Sequence, residues 1–324
     1  MSAAAASKTG WVVILALCFG GSASAQEQYP TKPIKIVVPL TAGGAPDLVA
    51  RVVADRLAAN LRQPVIVENK PGAGERIGAE YVFKAEPDGY TILAAPPGSL
   101  VISPFLESQL AYQPTAFVPV TIMTTSHLVL VGRANLPMSS LRELIEFAKA
   151  NPGKLSYASP GVGTPPHLTG EMLKSAARIQ TTHVPYKGLA PAITDLLAGH
   201  VDFMFDNIGN SLPHISAGRV KIFGVASEHR IAVLPDVPTI AETYPGVHTL
   251  SWFGVVAPPK TSPHIAEKLA QAIGDALKEP DVTAKLRALS LTPIGSSPAE
   301  MARLLQQERA HWGSVIAASG IKSQ

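Results

Sequence analysis

The sequence predicts an α/β protein of two lobes, two sheets flanked by helices and joined by a two-crossover hinge. Three observations lead there. Short β-branched runs alternate with segments of helical period along the whole chain, which calls for mostly parallel sheets covered by helices. Three glycine turns stand where a strand ends and a helix begins. No Pro/Gly/Ser-rich linker divides the chain, so two lobes must share ordinary short crossings.

The first 25 of 324 residues stand apart from this pattern. Lys8 supplies a positive charge, Trp11 to Gly20 form an apolar run too short to span a bilayer, and Ala23-Ser24-Ala25 is a small-residue cleavage site. Residues 1–25 read as an export signal cut before Gln26. A lipid-anchored start at Cys18 is the weaker alternative, because Leu17 is a poor residue before a lipidated cysteine. Cys18 is the only cysteine, so the mature chain forms no disulfide and must depend on its cores. Losing Lys8 lowers the net charge from +3 to about +2 with no basic block, which excludes a nucleic-acid binder.

The mature chain opens with the strand Ile34–Leu40 and the turn Thr41–Asp47. Leu48, Val49, Val52, Val53, Leu57 and Leu61 then recur at helical spacing, with Asp47 placed to cap the start. Pro64–Asn69 is a second strand, Ile77–Ala85 a helix and Tyr90–Ala95 a third strand. Ser140 and Glu143 form a capping box for the helix Leu141–Ala150. Strands follow at Leu155–Ser159, Ile179–Tyr186, Val201–Asn207 and Val220–Ser227, with helices at about 166–177 and 191–198. Ser251–Ala257 is a late strand. Helices at about 263–278 and 298–317 close the chain, the second opened by Ser297 and Glu300. The chain is expected to leave lobe 1 near Phe117–Arg133 and return near Ser251–Ala257, so that residues 26–125 and 252–324 form lobe 1 and 126–251 form lobe 2.

Glycine turns at strand ends are where free N–H groups and helix dipoles meet in open α/β sheets. The candidates are Thr41–Asp47, Ser159–Thr164 and Tyr186-Lys187-Gly188. In the second, Thr164 fits an N-cap and Pro165 a first helical residue. The donors left for an anion are then Gly161, Val162, Gly163 and Thr164, with His167 nearby. Gly72-x-Gly74-x-x-x-Gly78 imitates a dinucleotide fingerprint, but strand Tyr90–Ala95 lacks the acidic residue that would hold a ribose. No nucleotide cofactor is expected. The chain contains no nucleophile elbow, no phosphate-binding loop and no close His/Cys spacing for a metal. Asp202 and Asp206 share one strand face but make no convincing catalytic pair. Asp206-Asn207 reads as a polar edge of the cleft, and His167 and His214 as structural hydrogen-bonding residues.

Taken in order, YPTKPI at Tyr29–Ile34, Gly43-Gly44 with Asp47, VENKPGAG at Val67–Gly74 and PDGYTIL at Pro87–Leu93 form a recognisable series. It continues with NPGKLSY at Asn151–Tyr157, GTPPHL at Gly163–Leu168, VPYKG at Val184–Gly188 and VDFMFDN at Val201–Asn207. PDVPT at Pro235–Thr239 and SWFG at Ser251–Gly254 complete it. The series resembles the Bug-type solute receptors of tripartite tricarboxylate transporters over essentially the whole mature chain.

The resemblance implies a two-lobed periplasmic-binding-protein fold of type II-like architecture, no catalysis, and a small organic acid held by backbone N–H groups. It also implies the membrane subunits of a tripartite tricarboxylate-type transporter as partners, a periplasmic location and a monomeric receptor. Carried onto this chain, the ligand-binding candidates are Thr41, Gly43, Gly44, Gly98, Ser99, Ser159, Gly161, Val162, Gly163, Thr164, His167 and Asp206. Two departures stand out: Leu40 replaces a frequent phenylalanine, and Glu75-Arg76 replace a glycine and its small neighbour. A rival reading is a secreted hydrolase or isomerase using Ser99, His167 and Asp206. A third is a ligand sensor for a signalling membrane partner.

Overall fold

The computed structural model describes Met1 and residues 29–319; the expected export segment otherwise lies outside the described residues. β1 (Ile34–Val38), α1 (Ala45–Leu61), β2 (Val65–Asn69), α2 (Arg76–Phe83) and β3 (Thr91–Ala95) follow in order. β1 lies between β2 and β3, parallel to both, with Ile36 opposite Val67 and Ile92. The predicted βαβαβ unit forms because each β-branched run buries one or both faces while the helices between cover it. A π-helical turn, Gly98–Ile102, and α3 (Ser103–Leu106) follow.

β4 (Val118–Arg133) is 16 residues long and serves both lobes. Beyond it come α4 (Leu141–Ala150), β5 (Ser156–Ser159), α5 (Pro165–Ala177), β6 (Thr182–Pro185), α6 (Leu189–Ala198), β7 (Phe203–Asn207), α7 (Ile208–Ser216) and β8 (Val220–Val225). The chain returns through β9 (Leu250–Ala257) and ends in α8 (Pro263–Lys278), α9 (Pro280–Ala288), β10 (Thr292–Pro293) and α10 (Pro298–Ser319). Strand order is β2-β1-β3-β9-β4-β7-β5-β6, with β8 and β10 also on β4. From Val118 to His127, β4 pairs antiparallel with β9, ending with His127 opposite Leu250. From Leu128 onward it takes β7 and β8 as neighbours. The two sheets are thus not separate: one continuous strand hydrogen-bonds in both.

The burial pattern along β4 changes with that switch. Leu128, Val129, Leu130 and Val131 are fully buried in the second sheet, whereas Thr124 and Ser126 precede them, buried with hydroxyls that find no partner. The core has three parts. One lies between the first sheet and α1, α8 and α9, around Val49, Val53, Phe253 and Ile273. Another packs Ala192, Leu196, Met204 and Ile208 beneath α6 and α7. The third runs without a break from Val101 and Trp312 to Tyr157, Phe203 and Phe205, so apolar packing continues from one lobe to the other.

Local expectations held unevenly. Ser297 and Glu300 make both halves of a capping box, while Ser140 accepts the Glu143 N–H and Glu143 reaches back to Ser139 instead. Asp47 is not the cap of α1. Gly44 is, and Asp47 sits three residues inside. The pattern gave no sign of α7, whose Gly209 and Pro213 look like loop residues. Tertiary packing makes it helical, with Gly209 pressed against the Leu289 carbonyl where no Cβ fits. α9 escaped as well, because only Val282 and Leu286 are buried on it, too few for a period.

Candidate functional site

Five helices begin at one cleft. Its wall carries Pro46 from the first turn of α1, Thr164, Pro165 and Pro166 from the start of α5, Leu189 from the start of α6, and Asn207, the residue before α7. Glu75 is the residue before α2, and Leu40, Pro96, Pro160, Ser251 and Phe253 complete the wall. Each helix start leaves unpaired N–H groups and a partial positive charge, so the cleft attracts negative charge without any basic side chain on its wall.

The starts of α1 and α5 repeat one device in the two lobes. Gly43, at φ +87°, donates its N–H to Asp47 Oδ2 at 2.9 Å. Gly163, at φ +78°, donates its N–H to His167 Nδ1 at 3.2 Å. In each case the third residue of the helix reaches back over a proline to a glycine that must adopt a left-handed conformation. Asp47 is further held by Arg51 and Asn69, and these hydrogen bonds keep its carboxyl below the usual range despite its burial. His167 accepts at Nδ1, so its ring proton belongs on Nε2. Burial pushes its pKa down to about 4, which leaves it neutral. The ring stacks on His183 at 4.2 Å, and His183, also pushed down by burial to about 3, meets the Ser159 hydroxyl at 2.7 Å.

The Ser159–Thr164 loop therefore uses several of its polar groups internally. Gly161 N–H goes to Ser159 Oγ, Gly163 N–H to His167, and the Thr164 hydroxyl donates to the Gly161 carbonyl at 2.7 Å. Thr164 is the N-cap by backbone position, yet its side chain makes no capping bond, in contrast to the sequence expectation. The N–H groups of Gly44 and Val162 remain without a partner among the described residues.

Candidate residues of each lobe lie against the opposite lobe, and of the candidates Thr164 alone is on the cavity wall. A Cβ on Gly74 would lie 2.5 Å from the Val162 carbonyl, and one on Gly188 would strike Thr41 Oγ1. A Cβ on Gly163 would stand 2.9 Å from Leu106. With the lobes in such contact, the cavity between them is only about 30 Å³, room for one or two waters. A larger recess, about 590 Å³, lies at the hinge between His127, His248, His311 and Trp312 and includes none of the candidates.

Gly98 and Ser99 stand behind Glu75, which sequence reasoning left without a role. Glu75 is 1% exposed and left-handed at φ +76°. Its Oε2 accepts the Ser99 N–H at 2.9 Å, whereas Oε1 has no partner. Burial pushes its pKa up to about 8. Arg76 turns away to Glu107, so the neighbouring charges form no pair. The signal was present in the sequence, since a charged residue in a glycine turn at a strand-to-helix junction is anomalous, but its direction was not.

Asp206 is wholly buried and bound by Ser211 Oγ at 2.6 Å and by Asn210; Asn207 beside it is the residue on the cavity wall. Burial raises the Asp206 pKa to about 6. Asp202 lies beyond the other end of β7, tied to Arg133 and Ser156. Ser99, His167 and Asp206 each satisfy or face other groups, and no hydrogen bond joins any two of them. Among the described residues, no cluster of three or more His, Cys, Asp or Glu side chains is arranged to hold a metal.

Residues 49–321 match the family described as tripartite tricarboxylate transporter family receptor. The chain belongs to that family. It is 40% identical over 293 residues to a UPF0065 protein from the tcbD-tcbE intergenic region of Pseudomonas sp. (strain P51), covering 90% of this chain and 87% of that one. Among solved structures it is similar to the periplasmic binding protein BugD, with TM-score 0.87, 34% identity, and 91% and 100% of the two chains covered. R. palustris Rpa4515 with adipate gives TM-score 0.87 and 35% identity over 91% of this chain and 100% of that one. MatC from Rhodopseudomonas palustris with bound malate gives 0.85 and 33% over 89% and 100%. Fold and family are those of periplasmic solute-binding receptors.

Proposed function

We propose that this chain is an extracytoplasmic receptor that captures a small carboxylic acid between its lobes and delivers it to the membrane subunits of a tripartite tricarboxylate-type transporter. The observation that carries this reading is the convergence of five helix starts on one interlobe cleft with no basic side chain on its wall. Relatives of the same fold were solved with adipate and with malate, both carboxylic acids. Thr41, Gly44 and Val162 supply the donors in this reading, while Thr164 gives its hydroxyl and N–H to the Gly161 carbonyl. Gly43, Gly161, Gly163, Ser159 and His167 hold the two loops in shape, and Gly98 and Ser99 support Glu75.

A 30 Å³ cavity cannot take up a dicarboxylic acid, so capture requires the lobes to part and close again. The hinge lies where β4 changes neighbours, between His127 and Leu128, and at Thr249-Leu250 on the return. The receptor acts on the ligand by enclosure alone, as a single exported chain.

Calorimetric titration of the mature protein with mono- and dicarboxylic acids, adipate and malate included, tests this. Saturable binding is expected, with the ligand recovered chemically unchanged. A conversion of the ligand, or no binding across the series, overturns the reading.

A further inference from the structure

Glu75 gives the cleft a polarity that helix starts alone do not. Its carboxyl is buried, lines the cavity and, among the described residues, makes no ion pair and presents Oε1 without a donor. The Ser99 hydroxyl beside it favours the charged carboxyl by its proximity but completes no well-formed hydrogen bond. From the other lobe, Asn207 brings Oδ1, again buried and without a partner, to the same cavity. A buried acceptor without a donor costs free energy unless something else supplies one. The fold makes room for this carboxyl rather than tolerating it by accident: position 98 is glycine, and a Cβ there would lie 2.5–2.8 Å from the Glu75 oxygens and Cδ. Glu75 also holds a left-handed conformation that glycine adopts without strain.

Resting on the receptor reading above, we infer that Glu75 and Asn207 form a subsite for a positively charged nitrogen, so that the ligand is a small acid carrying both a carboxylate and an ammonium group. The carboxylate meets the helix starts, where Gly44 and Val162 offer N–H groups. The ammonium donates to Glu75 Oε1 and Asn207 Oδ1, and on binding draws the Glu75 carboxyl, which burial keeps protonated at neutral pH in the free protein, into its ionised form. An ammonium brings three donors and no acceptor, matching a subsite of two orphan acceptors. A ligand with a second carboxylate at this end brings no donor for Asn207 Oδ1 and favours the protonated form of Glu75. A hydroxyl there has one proton and can satisfy one acceptor.

Paired acids differing only in hydroxyl against ammonium separate these cases: lactate with alanine, malate with aspartate, and 4-hydroxybutyrate with 4-aminobutyrate. In calorimetric titrations at pH 7, the amino member of the best-binding pair is expected to bind at least tenfold more tightly than its hydroxy partner. Glu75→Gly, which restores the residue best suited to the backbone, is expected to stay folded and lose that preference. Glu75→Gln keeps the shape without the charge and is expected to lose most of it. The inference is overturned if the hydroxy members bind as tightly, or if the preference survives Glu75→Gly. It is equally overturned if dicarboxylates bind best and lose affinity only as pH rises past 8, since Glu75 would then serve as a neutral donor. In each of these outcomes the receptor reading stands; if no acid of either series binds either protein, that reading fails too.

Discussion

Burial makes Glu75 a source of pH dependence as well as of selectivity. Its pKa rises from 4.5 to about 8 on folding, so the stability it contributes is full below pH 4.5 and is lost as pH climbs towards 8. Asp206, raised to about 6, behaves the same way over a lower range. His167 and His183 act oppositely: their lowered pKa values give stability that is present above pH 6.5 and lost as pH falls towards 4 and 3. Between pH 6.5 and 8 Asp206 is mostly ionised and the histidines, neutral when folded, lose their last protons only in the unfolded chain, so Glu75 makes the largest of these four contributions. Without ligand, calorimetric Tm is expected to fall by a couple of degrees over that interval, the equivalent of about 1 kcal/mol. Glu75→Gln should make the Tm nearly flat there. An unchanged slope in the variant would show that the carboxyl is hydrated in solution.

Helix starts and glycine turns set the contact between lobes. Gly74→Ala puts a Cβ 2.5 Å from the Val162 carbonyl, and Gly188→Ala drives one into Thr41 Oγ1. Both also suffer the cost of a left-handed or otherwise glycine-like φ, about 1–2 kcal/mol. Gly153→Ala is the control, because Gly153 has φ +74° and open space around it. All three variants should lose stability to guanidinium, but only the two cleft variants should lose affinity, at least tenfold, or about 1.4 kcal/mol. An equal loss in Gly153→Ala would mean that backbone strain, not the interlobe contact, is responsible. Thr164→Ala removes the bond to the Gly161 carbonyl and is expected to cost about 1 kcal/mol in the same unfolding experiment.

Across the whole molecule, the hinge strand is tied to the last helix. Trp252 of β9 and Trp312 of α10 both donate their indole N–H to Glu308 Oε2 at 3.0 Å. A rotation about β4 that moves Trp252 therefore also disturbs Trp312, although Trp312 is 1% exposed in the core. Ligand binding is expected to change tryptophan fluorescence, and Trp252→Phe and Trp312→Phe should each remove part of the response. Small-angle scattering should show compaction on saturation from an open ensemble. A response carried wholly by one tryptophan, or scattering that does not change, would place the motion away from this bridge.

Periodicity and turn chemistry alone made most of the frame legible. The alternation from Ile34 to Ala95 announced β1 to β3 and their helices, because β-branched runs and helical apolar spacing reflect local burial that the chain itself encodes. Gly163-Thr164 could be read as a helix start for the same local reason, whereas α1 starts at Gly44, ahead of the Asp47 that the pattern offered as its cap. Three features awaited the tertiary structure. Whether Phe117–Arg133 was a linker or one strand in two sheets depended on its neighbours, β7, β8 and β9, which lie far along the chain. The helical state of Ile208–Ser216 came from packing that outweighed Gly209 and Pro213. The direction of Glu75 was equally hidden: an acidic residue in a glycine turn reads as solvated until Gly98, Ser99 and the opposing lobe enclose it. Local sequence encodes backbone preference, but burial of a charge is set by residues distant in the chain, and only the folded arrangement brings them to it.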